Sequence, residues 1–535
     1  MKKRTAKVFA MTIASLFVLS ACSGTASNQT STGETAGAAG TTDTTVPSST
    51  GQSSGGNHFT YVIGTEPLTM DTHLMSDANT GRVSVQIHEN LVKRDLEGNF
   101  QPVLATEWSP NEDATEWTFK LREGVTFHDG EPFNAEAVKY NIERLKDPAT
   151  GSPKSSLVTM ISDFDIVNDY EIKFILDQPC AVIPAMVSTY STGMMSPKAL
   201  EEYGKDYSTH AAGTGPLKLK EWIPGSKITF EKFDDSFLGK PNFNEVTYLT
   251  IPEVSNRMIS LETGEVDIAF DIGIMDKIAI ENNKNLELIE VESPALLYLG
   301  FDQTNPKYQN KKLREAIAYA IDNQTFVDVV FKGSAVAGDS PLPKASPAYN
   351  SEVKRYDQNI EKAKQLLVEA GYPNGLDIEL WCMDDGPRVD MCVIIQDQLK
   401  KIGINVEIKV FEFGSYVSKT ALPNKELYFL SWNSSGDGDV ALYPLFHSSQ
   451  HGSSGNRSFY TNKKVDELLD KARTSVDETE RTILYKEVQD ILQEDLAIYS
   501  LVYPKINLAK NKNLKGLIFK KNGDIDITNL YQEVR

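Results

Sequence analysis

The groups that usually do covalent chemistry are thinly spread along this chain. His88-Glu89 is not followed by a second histidine at the metalloprotease spacing, no Gly-x-Ser-x-Gly elbow sits between a strand and a helix, and no glycine-rich loop ends in Lys-Ser or Lys-Thr. The seven histidines are scattered. The nearest pair, His447 and His451, lies in a Ser/Gly-rich loop of the kind that faces solvent, which is a poor start for a metal cage. No acid, base and nucleophile come together at a recognisable spacing, so the expectation is a protein that is not an enzyme and carries neither cofactor nor metal. What remains is binding chemistry, carried by arginine, carboxylate and indole groups.

One cysteine stands apart from the other three. Lys2, Lys3, Arg4 and Lys7 precede an apolar run from Val8 to Ala21, the charged-then-apolar order of a secretory leader. At about a dozen apolar residues the run is short for ~30 Å of hydrocarbon. It ends in Leu19-Ser20-Ala21-Cys22, which resembles the bacterial lipobox. That resemblance implies removal of residues 1–21 and acylation of Cys22 as the new first residue. Residues 22–56 are then nearly all Ser, Thr, Gly, Ala and Asn, a composition that buries too little apolar surface to offset ordering entropy and is read as a flexible tether. The expected location is the outer face of the cell membrane, with the lipid as the only membrane contact. Cys180, Cys382 and Cys392 make no disulfide framework, and Cys392 falls on an apolar helical face as a buried thiol would; a Cys382–Cys392 bridge stays open.

The net charge of −20, more negative still without the leader, makes nucleic acid and anionic lipid poor partners. Roughly 480 residues beyond the tether are enough for two or three units at ~150 residues each. Phe59-Thr60-Tyr61-Val62-Ile63-Gly64 reads as a strand running into the loop that holds Glu66, and the ends of strands are where α/β proteins place ligands. Asn134 opens a helix with Val138 and Ile142 in register. Leu313, Ala316, Ile317, Ala320 and Ile321 carry the one-faced helical pattern. From Ile360 onward the order is helix, strand, helix, strand, ending on the alternating run Ile404 to Val410, as in βαβ units. Asp477 with Glu480 resembles a capping box.

Longer motifs point to a family. Gln101-Pro102-Val103-Leu104-Ala105-Thr106-Glu107-Trp108, then Trp117 to Gly130, resembles the signature of the peptide and nickel solute-binding proteins. Gly213-Thr214-Gly215-Pro216, Gly264-Glu265-Val266-Asp267-Ile268 and Leu313 to Asp322 follow in family order. The segment from Trp432 to Leu445 is most similar to the glutathione-binding branch. The resemblance implies an α/β fold of the periplasmic-binding-protein type II, with two lobes, an extra inserted subdomain and a hinge of two crossover strands near Ser293–Gln303 and Asp495–Pro504. The implied layout is residues 57–297 for lobe I, with the inserted subdomain at about 90–207, then 298–498 for lobe II and 499–535 returning to lobe I. It also implies a monomer that hands short peptides or peptide-like ligands to the permease of an ABC importer. A nickel or metal-chelate binder of the same family, and a scaffold or adhesion lipoprotein, are the alternatives.

The resemblance places Glu66, Gly215, Trp381, Arg388, Trp432, Ser435, Asp437 and Asp439 at the ligand. In dipeptide binders an acid three positions after the tryptophan matching Trp432 pairs with the ligand amine; here that position is Ser435, which leaves Asp437 or Asp439 for the role. Arg388 lies near the family's carboxylate-binding position, and its planar fork suits a carboxylate. Plainer readings stand beside these: a solvated helix start for Arg388, turn formation beside Gly436 and Gly438 for the aspartates, and core packing for both tryptophans.

Overall fold

Two strands that pass from one half of the molecule to the other organise everything else. The structure is a computed structural model describing residues 57–533, apart from positions 76, 96, 97, 434 and 435 and the side chain at 454. The leader, Cys22, the 22–56 segment and Ser435 therefore lie outside the described residues. Strand Ile498–Asn511 is 14 residues long. Its first part pairs antiparallel with Ala295–Gly300, Gly300 facing Ile498 and Leu297 facing Val502. Its second part pairs with Leu286–Glu292, Glu292 facing Lys505 and Leu286 facing Asn511. Ser293-Pro294 interrupts the neighbouring strand at the changeover, where proline has no N–H to give a ladder. The changes of partner fall at residues 292–295 and 502–505; the boundaries read from the sequence at 297/298 and 498/499 lie a few residues away, inside these strands.

The first lobe grows from the second part of that strand. Ile268–Phe270 pairs with it antiparallel, His58–Ile63 lies parallel between Ile268–Phe270 and Glu245–Thr250, and the hairpin strands Lys227–Lys232 and Leu217–Ile223 complete the sheet. A separate four-stranded antiparallel sheet, ordered Ala105–Pro110, Glu116–Leu121, Glu171–Leu176, Ile161–Asn168, carries helix Ala135–Lys146. Its own core runs from Leu91 to Met194. Asn134 caps the helix by accepting from Ala137 N–H at 3.0 Å.

The second lobe contains the expected βαβ unit. Leu376–Met383 and Ile404–Phe411 are parallel in register and joined by helix Gly386–Lys400. Leu427–Asn433 lies between Leu376–Met383 and the crossover Ala295–Gly300. Helix Lys311–Ala320 buries Leu313, Ala316, Ile317 and Ala320 completely, as its 3.6-residue pattern requires. Cys180, Cys382 and Cys392 are buried free thiols. Only half of the capping box forms. Asp477 accepts from the N–H groups of Thr479 and Glu480, while the Glu480 carboxylate turns to Ser475 Oγ at 2.6 Å and to Lys471 at 2.7 Å.

Candidate functional site

The end of strand Leu376–Met383 and the start of helix Gly386–Lys400 set Arg388 over the edge of the second-lobe sheet. Its guanidinium donates to Asp385 Oδ2 at 2.7 Å and to Ser431 Oγ at 3.1 Å. Asp385 precedes the helix and Ser431 lies on the adjacent strand, so two elements fix the fork. Arg388 lines a recess of about 190 Å³ with Met383, Phe413, Tyr416, Trp432 and Arg457. Phe413 is 63% exposed, a large apolar ring left open beside a cation. Trp432 and Arg388 are thus brought together. Trp381 is not part of the recess: its indole N–H donates to Glu379 Oε2 at 2.7 Å and its ring meets Phe411 edge-on at 5.3 Å.

The two aspartates have charges met from within the protein. Asp439 is 2% exposed. Its Oδ1 accepts from Arg473 Nε at 3.1 Å and its Oδ2 from Arg473 Nη2 at 2.7 Å, a bidentate pair. Arg473 also lies over the Tyr443 ring at 3.4 Å, and its carbonyl accepts from Ala181 N–H of the inserted subdomain at 2.7 Å. Asp437 caps helix Gly438–Phe446 through Oδ1, taking the N–H groups of Asp439 and Val440. Its Oδ2 takes Arg94 Nη2 at 2.5 Å. Arg94 belongs to the first lobe, so this bridge crosses between the lobes. Every oxygen of the two carboxylates already accepts from at least one donor within the protein in this state.

Where the lobes meet there is a chamber of about 150 Å³. Gln86, Glu89, Lys93, Arg94, Tyr190 and Pro216 line it from the first lobe, Ala345, Pro347 and Gly436 from the second, and Pro294 from the crossover. Lys520 and Asp524 of the carboxy-terminal hairpin complete it. Tyr190 donates its hydroxyl to Asp524 Oδ1 at 2.5 Å, which fixes the ring at the wall. Glu89 is 1% exposed with Lys93 Nζ 2.5 Å from its Oε2. Beside it His88 is fully enclosed, and burial, reinforced by the charge of His128, lowers its pKa to about 3, so the ring is neutral near pH 7. These lining residues carry no motif; the usable signal is the run Glu89 to Arg94, in which three charged residues, Glu89, Lys93 and Arg94, flank Leu91 and Val92.

Glu66 and Gly215 do not line the chamber. Glu66 accepts from Trp222 Nε1 at 2.6 Å and from Gly225 N–H at 2.8 Å. A Cβ at Gly215 would stand 2.8 Å from the Gln86 carbonyl oxygen, so glycine permits the close approach that seats Pro216 at the chamber. His447 departs from the solvent-facing reading. It is 8% exposed and stacks on Tyr443 at 4.3 Å, because the loop folds back over the second-lobe helices; His451 is exposed. Among the described residues no three His, Cys, Asp or Glu side chains gather as a metal cage.

Comparison with known proteins agrees with this architecture. The glutathione-binding protein GsiB of Escherichia coli K12 is 32% identical over 463 residues, 85% of this chain and 90% of that one. HbpA2 of Haemophilus parasuis superposes with a TM-score of 0.81 at 27% identity, over 89% of this chain and all of that one. The ABC transporter-associated periplasmic binding protein DppA of Helicobacter pylori, solved with the peptide STSA, gives 0.76 at 28% identity, over 89% and 98%. Residues 99–453 match the middle region of the bacterial extracellular solute-binding proteins, family 5, and with two lobes, an inserted sheet and paired crossovers around one chamber, the chain belongs to that family.

Proposed function

We propose that this chain is the lipid-anchored ligand-capturing component of an ABC importer, taking short peptides or peptide-like molecules such as glutathione into the chamber between its lobes and passing them to a membrane permease. The observation that carries this reading is the chamber itself: both lobes and a crossover line it, so closure adds contacts to the ligand from two sides. The relatives that bind glutathione and the peptide STSA support the ligand class. In the separate second-lobe recess, Arg388 holds a ligand carboxylate while Trp432 and Phe413 receive apolar side chains. Cys22 anchors a monomer to the outer membrane surface, and the 22–56 segment gives the body reach.

Calorimetric titration of delipidated protein with glutathione, dipeptides, an oligopeptide mixture and nickel tests the reading. Binding of a peptide-class ligand, with a fall in radius of gyration by small-angle scattering at saturation, is expected. Nickel as the sole ligand, or no ligand at all, overturns it. Replacing Cys22 with alanine should move the protein from the membrane pellet to the soluble fraction; a variant retained in the pellet after a salt wash would refute the anchor alone.

A further inference from the structure

We propose that Glu89 and Lys93 form a receptor for the zwitterionic head of a free α-amino acid, and that the chamber therefore selects peptides joined through a side chain, as in γ-glutamyl peptides, over ordinary α-linked ones. The inference rests on the capture reading above and sharpens its ligand class.

Three observations carry it. Glu89 is 1% exposed and yet faces the chamber. Lys93 Nζ lies 2.5 Å from Oε2, but no N–H or O–H among the described residues is aligned on that oxygen as a hydrogen-bond donor. The contact is an ion pair without hydrogen-bond direction, at a carboxylate able to accept about four bonds. Buried and so poorly served, it has a strong claim on any further donor, and a ligand ammonium brings three. Lys93 is partly exposed, at 27% of its side chain, and lines the same chamber. It is free to turn its ammonium to a carboxylate arriving beside the incoming ammonium.

Opposite charges held this close fit a ligand whose ammonium and carboxylate hang from one carbon. The head of a γ-glutamyl residue is such a group. In an α-linked tripeptide the terminal charges lie up to roughly 10 Å apart when extended, and a peptide carbonyl replaces the carboxylate next to the ammonium.

The decisive comparison uses reduced glutathione, its α-linked isomer Glu-Cys-Gly, and N-acetylglutathione, titrated into the delipidated protein. The two isomers share composition and net charge, so a difference reports linkage. Glutathione should bind at least about tenfold more tightly than either of the others. Glu89→Gln should weaken glutathione roughly 30-fold, as loss of one partner of a buried charge pair does, and bring the isomers within about threefold of each other. Equal binding of the two isomers to the wild type overturns the inference and leaves peptide capture standing, as does an isomer preference that survives Glu89→Gln. If all three probes, the dipeptides and the oligopeptide mixture fail to bind, the capture reading itself falls. The isomer and N-acetyl arms need no variant, so they decide the matter even should Glu89→Gln fail to fold.

Discussion

Asp437 and Asp439 stand two residues apart at the start of one helix, and each faces an arginine, but the two pairs have different work. Asp439 with Arg473 is bidentate, its carboxylate buried and its arginine side chain 20% exposed, and it is tied through the Arg473 carbonyl to Ala181 of the inserted subdomain. Arg94 with Asp437 is a single contact at the rim of the chamber, with 18% and 16% of the side chains exposed, and it joins elements from different lobes. Burial raises the pKa of the Asp439 carboxyl even though Arg473 draws it down, so attraction only partly offsets desolvation. The inner pair fixes the shape of a lobe. The outer pair sets how firmly two lobes stay together.

The sharpest test is Asp439→Ala, which strands the Arg473 cation. Chemical denaturation should show a loss of about 3–5 kcal/mol. Replacing both partners with apolar residues of similar volume should recover most of it, because the cost comes from the unmatched charge. A single variant as stable as the wild type would erase the distinction between the pairs.

Acid probes the inner pair through Asp439, and His88 contributes a background that must be subtracted. Its folded pKa of about 3 is below the ordinary 6.5, so between those values the unfolded chain binds a proton that the folded chain refuses. Stability then falls as pH drops through that window, by about 1.4 kcal/mol per unit. His88→Gln should remove this share and flatten the acid limb of a pH series; an unchanged limb would assign the loss elsewhere.

Binding distinguishes the aspartates from Arg388. Arg388→Ala should lower affinity for the cognate carboxylate ligand by ~2 kcal/mol or more, with little change in folding stability. Asp437→Asn keeps the helix cap, since asparagine caps about as well as aspartate, and removes only the bridge. A double-mutant cycle with Arg94→Met should return a coupling of about 1 kcal/mol or less that shrinks in high salt. A larger radius of gyration for unliganded Asp437→Asn would confirm the outer pair as a latch. Affinity that collapses with Asp437→Asn would instead make it a ligand partner.

Much of the fold was legible because it is written locally. The period of Leu313, Ala316, Ile317 and Ala320, the alternation after Ile404, and the glycine at 371 that ends helix Ile360–Glu369 with φ of 97° each state their structure within a turn or two. The site was less legible because its partners are remote. Arg94 is 343 residues from Asp437, and Arg473 is 34 from Asp439; no spacing rule couples either pair. The family pattern drew attention to acids near Trp432, whereas the chamber is walled largely by Gln86 to Arg94 and the carboxy-terminal hairpin. Glu89 enters the sequence reading only as half of an incomplete metalloprotease motif, because burial, not residue type, makes it unusual.

The strand Ile498–Asn511 has a consequence for how such a protein reaches its place of work. It supplies the central rung of both sheets, joining Ala269 to Ala509 in one and Leu299 to Tyr499 in the other. A chain emerging from the ribosome lacks that rung until nearly all of it has been made. Neither sheet closes early, since its last pairing joins residues 200 or more positions apart and long-range closure is slow. If the chain is exported as proposed, it stays threadable until this strand has been made and has crossed, and the two lobes then complete themselves together.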